Sequence, residues 1–207
     1  MSSPETTDDE DVVDILVADH RAVEVLFLEL ETRQGTPEYR RQLVDVVIAE
    51  LVRHAEAEEA YVYPTARQVL PDGDQIAEHE IVEHADAERT MKELESIDPS
   101  DPRFDELLAH LTSTIRHHVR DEENELFPRL RAATAGEELV ELAAKVTAFK
   151  QIAPTRPHPG APDHPPANKL LAPGTGMIDR LRDALSDRPT TMGELRKQQQ
   201  QQQQQQR

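Results

Sequence analysis

Apolar residues recur at every third or fourth position along four long stretches of this 207-residue chain. In the fourth stretch, for example, Leu108, Leu111 and Ile115 follow that spacing. It is the period of an α-helix that buries one face. The predicted helices cover residues 9–33, 37–69, 74–96 and 102–133, and a shorter one covers 136–151.

Turn signals separate the predicted helices. Gly35 and Pro37 divide the first from the second, and the segments "LPDGD" and "IDPSDP" follow the second and the third. Long helices joined by short loops usually pack antiparallel to their neighbours. We therefore predict an all-α chain. Its main domain, residues 9–133, is expected to be an antiparallel up-down-up-down four-helix bundle, with a short additional helix in residues 134–152.

The composition changes at Ala153. Residues 153–207 are rich in proline and end in a run of glutamines, which predicts an extended, largely disordered C-terminal tail. One short amphipathic pattern lies within the tail, and it either docks on the bundle or stays free. Its apolar face consists of Met177, Ile178, Leu181, Ala184 and Leu185.

The net charge of −18 limits the possible partners. Nucleic-acid binding needs clustered Lys and Arg, and anionic membrane surfaces repel acidic proteins, so we expect neither as a partner. The chain has no cysteine, which excludes disulfides, iron–sulfur clusters and zinc–thiolate sites. The N-terminal sequence "MSSPETTDDEDVVD" lacks the basic and apolar regions of a signal peptide, so we expect a cytoplasmic protein.

The chain aligns with itself when it is shifted by 64 residues. Each half supplies one histidine from its first helix and a His-x-x-x-Glu motif from its second, so the chain consists of two similar helix pairs. A proline also closes the motif in both halves, at Pro64 and Pro128. The residues that coincide are His20 with His84, His54 with His118, and Glu58 with Glu122.

These six polar residues lie among the apolar positions that predict the buried helix faces. A hydrogen bond from a histidine to a glutamate four residues later explains one such pair as part of a polar core. It does not explain four histidines and two glutamates that converge from four helices. Each uncompensated buried carboxylate costs several kcal/mol, and the predicted buried faces offer no Lys or Arg. The pattern therefore favours a metal site over a structural polar core.

The ligand set indicates which metal the site binds. Four imidazoles and two carboxylates exceed the four ligands of a tetrahedral zinc ion. They suit two transition-metal ions, with Glu58 and Glu122 as bridges between them. Mixed nitrogen and oxygen ligands favour two iron ions over manganese or zinc.

The same residues resemble the signature of the hemerythrin-like, or HHE cation-binding, family. His20, then His54 with Glu58, match the first half of that signature, and residues 84, 118 and 122 repeat it. The sequence "LFP" at residues 126–128 is a further family-like feature, and the Pro-rich tail looks like an extension carried by a subset of bacterial members. Oxygen-carrying members of the family supply five histidines, whereas only four fall at matching positions in this chain.

Further side chains are candidates to complete the site. Tyr61 and Glu125 follow His54 and His118 by seven residues, or two helical turns, so each is expected to be an additional ligand or a hydrogen-bond partner of one. Phe27 and Met91, which coincide in the repeat, are expected to line a pocket. His79, His110 and His117 are the spare histidines of the bundle, and His158 and His164 lie in the tail, where we expect surface positions.

The resemblance implies a non-haem di-iron protein that binds or reacts with small oxidants, namely O2, peroxide or nitric oxide. Two alternatives stay open. The chain is either an iron- or oxygen-responsive sensor that acts through a protein partner, or an iron buffer without catalysis. No acid–base pair outside the proposed metal ligands is evident, so any enzymatic activity is expected to be centred on the metal.

Overall fold

The computed structural model of the protein describes residues 10–32, 34–161 and 164–205. All regular secondary structure in these residues is helical, which confirms the all-α prediction. None of the described helices combines the length and the apolar character needed to cross a membrane. The helices are α1 (Val12–Glu31), α2 (Pro37–Ala57), α3 (Tyr63–Val69), α4 (Gly73–Ser96), α5 (Pro102–Asp121), α6 (Phe127–Ala133), α7 (Gly136–Lys150), α8 (Ala167–Leu185) and α9 (Met192–Gln205).

Local sequence signals fix where the long helices begin. The Asp11 side chain caps α1 by accepting hydrogen bonds from the backbone of Val13 and Asp14. Thr36 and Asp101 cap α2 and α5 in the same way, and each is followed by a proline in the first turn, where a missing N–H costs nothing.

Two π-helical turns interrupt otherwise continuous helices. The first, Glu58–Val62, joins α2 to α3, and the second, Glu122–Leu126, joins α5 to α6. Both begin at the glutamate of a His-x-x-x-Glu motif. A π turn contains one more residue than an α turn, so it rotates every later side chain around the helix axis.

The apolar core consists of two clusters. One contains residues from the start of α1, the α2–α3 junction and α7, and the other contains residues from the end of α1 and from α2, α4 and α5. Along the chain, each of the four histidines comes between buried residues of one cluster and buried residues of the other. The four histidines therefore lie between two apolar layers of the core.

The C-terminal region differs from the predicted disordered tail. Residues 167–185 and 192–205 form α8 and α9. Leu195 of α9 is almost fully buried in the second apolar cluster, and the Arg53 guanidinium on α2 donates a hydrogen bond to the carbonyl of Thr190. The buried Leu195 side chain and the hydrogen bond to Thr190 thus attach the glutamine-rich helix and the segment before it to the body of the protein.

Candidate metal centre

Four histidines and two glutamates meet in the interior of the protein, and all six are at least 93% buried. Their Nε2 atoms approach each other in two pairs. Nε2 of His20 lies 3.1 Å from Nε2 of His54, and Nε2 of His84 lies 3.1 Å from Nε2 of His118. Each pair joins the two helices of one half of the chain, as the repeat predicts. The remaining members of the group are Glu58 and Glu122.

The outward-facing Nδ1 atom of every one of these histidines lies beside a carboxylate. In the first half, Nδ1 of His20 is 2.9 Å from Glu123 and Nδ1 of His54 is 3.2 Å from Asp19. A carboxylate partner keeps the proton on Nδ1 and leaves the lone pair on Nε2, which is the arrangement of a metal-binding histidine. The equivalent contacts in the second half join His84 to Glu59 at 3.0 Å and His118 to Glu83 at 3.1 Å.

The paired Nε2 atoms need a positive charge between them. If both nitrogens of a pair carry lone pairs, a separation of 3.1 Å is repulsive unless a proton or a cation lies between them. The site thus directs several nitrogen lone pairs inward at short distances from one another. The donor set fits metal ions.

The two glutamates link the two halves. Oε2 of Glu58 lies 3.1 Å from His54 and 3.5 Å from His84, and Oε2 of Glu122 lies 3.4 Å from both His118 and His20. Each carboxylate therefore contacts one histidine from each pair.

Hydrogen bonds satisfy only part of each buried glutamate. Oε1 of Glu58 and Oε2 of Glu122 are buried without a hydrogen-bond partner. Burial and the negative charge of Glu122 raise the pKa of Glu58. Burial also acts to raise the pKa of Glu122, but the charge of His118 outweighs it with the help of other histidines, and the pKa of Glu122 is lowered. Although burial disfavours its charge, His54 has a pKa raised to about 10, mainly by the negative charge of Glu58. Glu122 therefore stays ionised while Glu58 attracts a proton, and a cation bound between the two carboxylates would satisfy both.

Tyr63 contributes a hydroxyl to the cluster that the sequence analysis did not predict. This hydroxyl lies 3.1 Å from Nε2 of His84 and 3.2 Å from Glu122. The predicted residue, Tyr61, is outside the cluster, since its ring packs edge-on against Phe149 at 5.6 Å. The π turn explains the correction, because it places the residue five positions after Glu58, rather than three or four, on the ligand face.

The other candidates also lie away from the cluster. Glu125 is exposed, so the prediction that it is a ligand or supports one is wrong. The π turn at residues 122–126 shifts it off the ligand face, as the first π turn shifts Tyr61. His79, His110 and His117 all have exposed side chains. Each of these three histidines contacts an acidic side chain near the protein surface.

Glu80 is a further buried carboxylate beside the cluster. It lies 2.8 Å from Nδ1 of His118 and is 3% exposed. Burial raises its pKa. The corresponding residue in the first half is Leu16, so the two histidine pairs have different surroundings. In the sequence, Glu80 occupies a position within the apolar stripe of α4, and this position indicates that its side chain is buried.

A cavity of about 310 Å³ opens onto all four histidines. Its wall is mainly apolar and includes Phe27, Met91 and Ile115. The structure thus places both residues that the repeat pairs, Phe27 and Met91, beside the histidines. A molecule that enters this cavity reaches the four histidines.

Comparisons with known proteins agree with this geometry. A family model described as "Hemerythrin HHE cation binding domain" matches residues 11–130. An uncharacterised hemerythrin-like protein of Schizosaccharomyces pombe is 26% identical over 179 residues, which are 86% of this chain and 88% of the yeast protein. A DNA nickase of Nostoc is 30% identical over 142 residues, which are 69% of this chain. This chain covers only 40% of the Nostoc protein. No solved structure matches the chain.

Proposed function

Because the chain belongs to the hemerythrin HHE cation-binding domain family, we propose that it is a non-haem di-iron protein that binds or reacts with small oxidants. The oxidants are O2, peroxide or nitric oxide. The main support is the arrangement of the histidines, whose Nε2 atoms face each other in two pairs while carboxylates hold every Nδ1. The proposal includes an antiparallel four-helix arrangement of α1, α2, α4 and α5.

The residues divide into two ligand groups that share a carboxylate. His20 and His54 would hold one ion and His84 and His118 the other, with Glu58 within reach of both groups. Glu122 also contacts a histidine of each pair and would complete the bridge. Iron suits this mixture of imidazole and carboxylate better than zinc, which is usually satisfied by four ligands. Bound iron would supply one-electron chemistry toward small oxidants.

The protein itself contributes orientation and access. The carboxylates beside the Nδ1 atoms fix each imidazole ring and raise its basicity. The two apolar clusters keep bulk water away from the glutamates. The cavity lined by Phe27 and Met91 gives a small, uncharged molecule a path to the histidines.

The side chains around the cluster favour reaction over reversible oxygen carriage. Oxygen-carrying relatives supply a fifth histidine, whereas this chain places the Tyr63 hydroxyl within 3.5 Å of Glu58 and closer to His84 and Glu122. An oxygen ligand stabilises ferric iron, and ferric iron does not bind O2 reversibly.

DNA nicking, the activity named for the Nostoc protein, is not expected of this chain. The shared region is 40% of that protein, and a net charge of −18 opposes binding to a phosphate backbone. A nicking assay on supercoiled DNA is therefore expected to be negative.

The function is tested by loading the protein with ferrous iron under anaerobic conditions. We expect two iron ions per chain and a change in visible absorbance on adding O2, peroxide or nitric oxide. His118→Ala should lose iron, whereas the adjacent, exposed His117→Ala should keep it. Iron binding without any response to the three oxidants would instead identify an iron buffer. A single zinc ion in the purified protein would contradict the di-iron assignment.

A further inference from the structure

Helix α8 turns its apolar side toward solvent. Six large apolar side chains on it are between 54% and 79% exposed. At roughly 100 Å² each, they form a patch of about 600 Å², at the upper end of what monomeric proteins leave uncovered. We call these residues the α8 stripe: Leu170, Leu171, Met177, Ile178, Leu181 and Leu185.

The opposite side of α8 is polar and attaches the helix to the rest of the protein. The Asp179 carboxylate is fully buried and accepts hydrogen bonds from the backbone N–H groups of Thr155 and Arg156 at 3.3 and 3.2 Å. Asp183 pairs with Arg156 at 2.7 Å and with Arg188 at 3.1 Å. The helix is therefore held by buried charges instead of by its leucines.

Gly176 fixes this orientation. A Cβ atom at this position would lie 2.2 Å from the carbonyl oxygen of Ile152, so only glycine permits the observed approach of the two backbones. Turning α8 to bury its stripe would separate Asp179 and Asp183 from their partners and leave buried charges unpaired. The exposed stripe is thus a consequence of the packing of α8 and not of a loosely attached helix.

The spacing within the stripe is that of a helix-pairing surface. Leu171, Ile178 and Leu185 are seven residues apart, and Gly174 and Leu181 lie between them, which reproduces the a and d positions of a heptad repeat. Nothing lies within 4 Å of a Cβ placed on Gly174, so this side of the helix has room for a knob from a partner helix.

We propose that the α8 stripe is an interface with the same stripe of a second copy of this chain. A two-fold contact needs a self-complementary surface, and an antiparallel pair centred near Ile178 sets the leucines at one end against those at the other. Two stripes would bury about 1,200 Å² in total, the lower limit for a specific interface.

The charge of the protein favours a second copy over a lipid surface. The stripe itself carries no charged residue, and the exposed Arg180 and Arg182 of α8 flank it, so the charges of two facing copies stay at the periphery, where salt screens them within about 8 Å. An anionic bilayer would instead extend beneath the whole face of a protein whose net charge is −18.

The first test compares the mass of the protein in solution with that of a double variant, Ile178→Glu with Leu181→Glu. Sedimentation should show a dimer for the parent and a monomer for the double variant. Both substituted side chains are exposed, so circular dichroism and bound iron should not change. Val82→Glu, at an exposed valine of α4, is the matched control and should remain dimeric.

The second test uses the absence of cysteine from the sequence. Ile178→Cys should form a disulfide-linked dimer under mild oxidation, since this residue is expected near the two-fold axis, whereas Val82→Cys should not. A monomeric parent, or a double variant that still dimerises, would overturn the proposal. So would a monomeric parent that binds phosphatidylcholine or phosphatidylglycerol vesicles through the stripe, which would identify a membrane surface as the partner.

Discussion

Tyr63 and Phe127 occupy equivalent positions in the two halves of the chain, each five residues after the buried glutamate of its half. The Tyr63 hydroxyl lies 3.1 Å from Nε2 of His84, while the Phe127 ring stacks on His20 with ring centroids 5.8 Å apart. A phenol therefore adjoins one histidine pair and a plain aromatic ring adjoins the other. The two proposed iron positions differ chemically, although their histidines are related by the repeat.

The first prediction concerns the hydroxyl of Tyr63. Burial and the charges of Glu122 and Glu58 raise the pKa of this phenol, so it ionises only if a cation binds it. We expect the ferric protein to show a broad visible absorption from a phenolate bound to iron. Tyr63→Phe should abolish that band, and Tyr61→Phe should leave it intact. A band that survives in Tyr63→Phe would show that the tyrosine only donates a hydrogen bond to a carboxylate.

The second prediction concerns the carboxylates beside the Nδ1 atoms. Glu123→Gln should weaken metal binding by about 10- to 100-fold, because Nδ1 of His20 loses its charged acceptor. Affinity can be measured by competition with a coloured chelator. Glu125→Gln, two residues away and exposed, is the matched control and should bind as the parent does. Equal affinities for the two variants would show that these outer contacts do not support the ligands.

Much of this architecture follows from periodicity in the sequence. The three- and four-residue spacing of apolar positions indicated the four long helices, and a shift of 64 residues identified the six residues that the structure brings together. Both inferences rest on the regular period of the α-helix. They fail where that period changes, because the α-helical period points to Tyr61 at the first π turn, whereas the structure places Tyr63 in the cluster.

The C-terminal region could not be inferred in the same way. An amphipathic helix normally buries its apolar face, so the pattern of α8 gave no indication that Asp179 and Asp183 are the buried residues. Their partners, Arg156 and Arg188, lie in segments without regular structure. The helix α9 contains mostly glutamine, and few of its residues distinguish it from a solvated tail, chiefly Leu195, which is buried in the core, and Met192, which packs against it.

The third prediction tests that contact. Leu195→Ala should lower the free energy of unfolding by about 2 to 4 kcal/mol, since it removes a fully buried leucine and leaves a cavity. Leu185→Ala, at a leucine that is largely exposed, should change stability by less than about 0.5 kcal/mol in the monomer. Chemical denaturation at low protein concentration measures both. Similar values for the two variants would mean that α9 does not contribute to the core.

The last prediction concerns the attachment of α8 and its dependence on pH. Nε2 of His158 lies 2.8 Å from the buried Asp179, and this hydrogen bond raises the pKa of His158 above its ordinary value of 6.5, against the opposing effect of burial. A histidine whose pKa is higher in the folded state stabilises that state fully below pH 6.5. The contribution is lost as the pH rises through the folded-state pKa.

Hydrogen exchange of the α8 amides in the parent and in His158→Gln measures this contribution. Protection in the parent should exceed that in the variant at about pH 6, and the difference should shrink as the pH rises through the folded-state pKa of His158. His110→Gln, at an exposed histidine of α5, should match the parent throughout. The backbone N–H groups of Thr155 and Arg156 hold Asp179 at every pH, so α8 should stay attached in the variant. A difference that is constant with pH would show that His158 acts through packing and not through its charge.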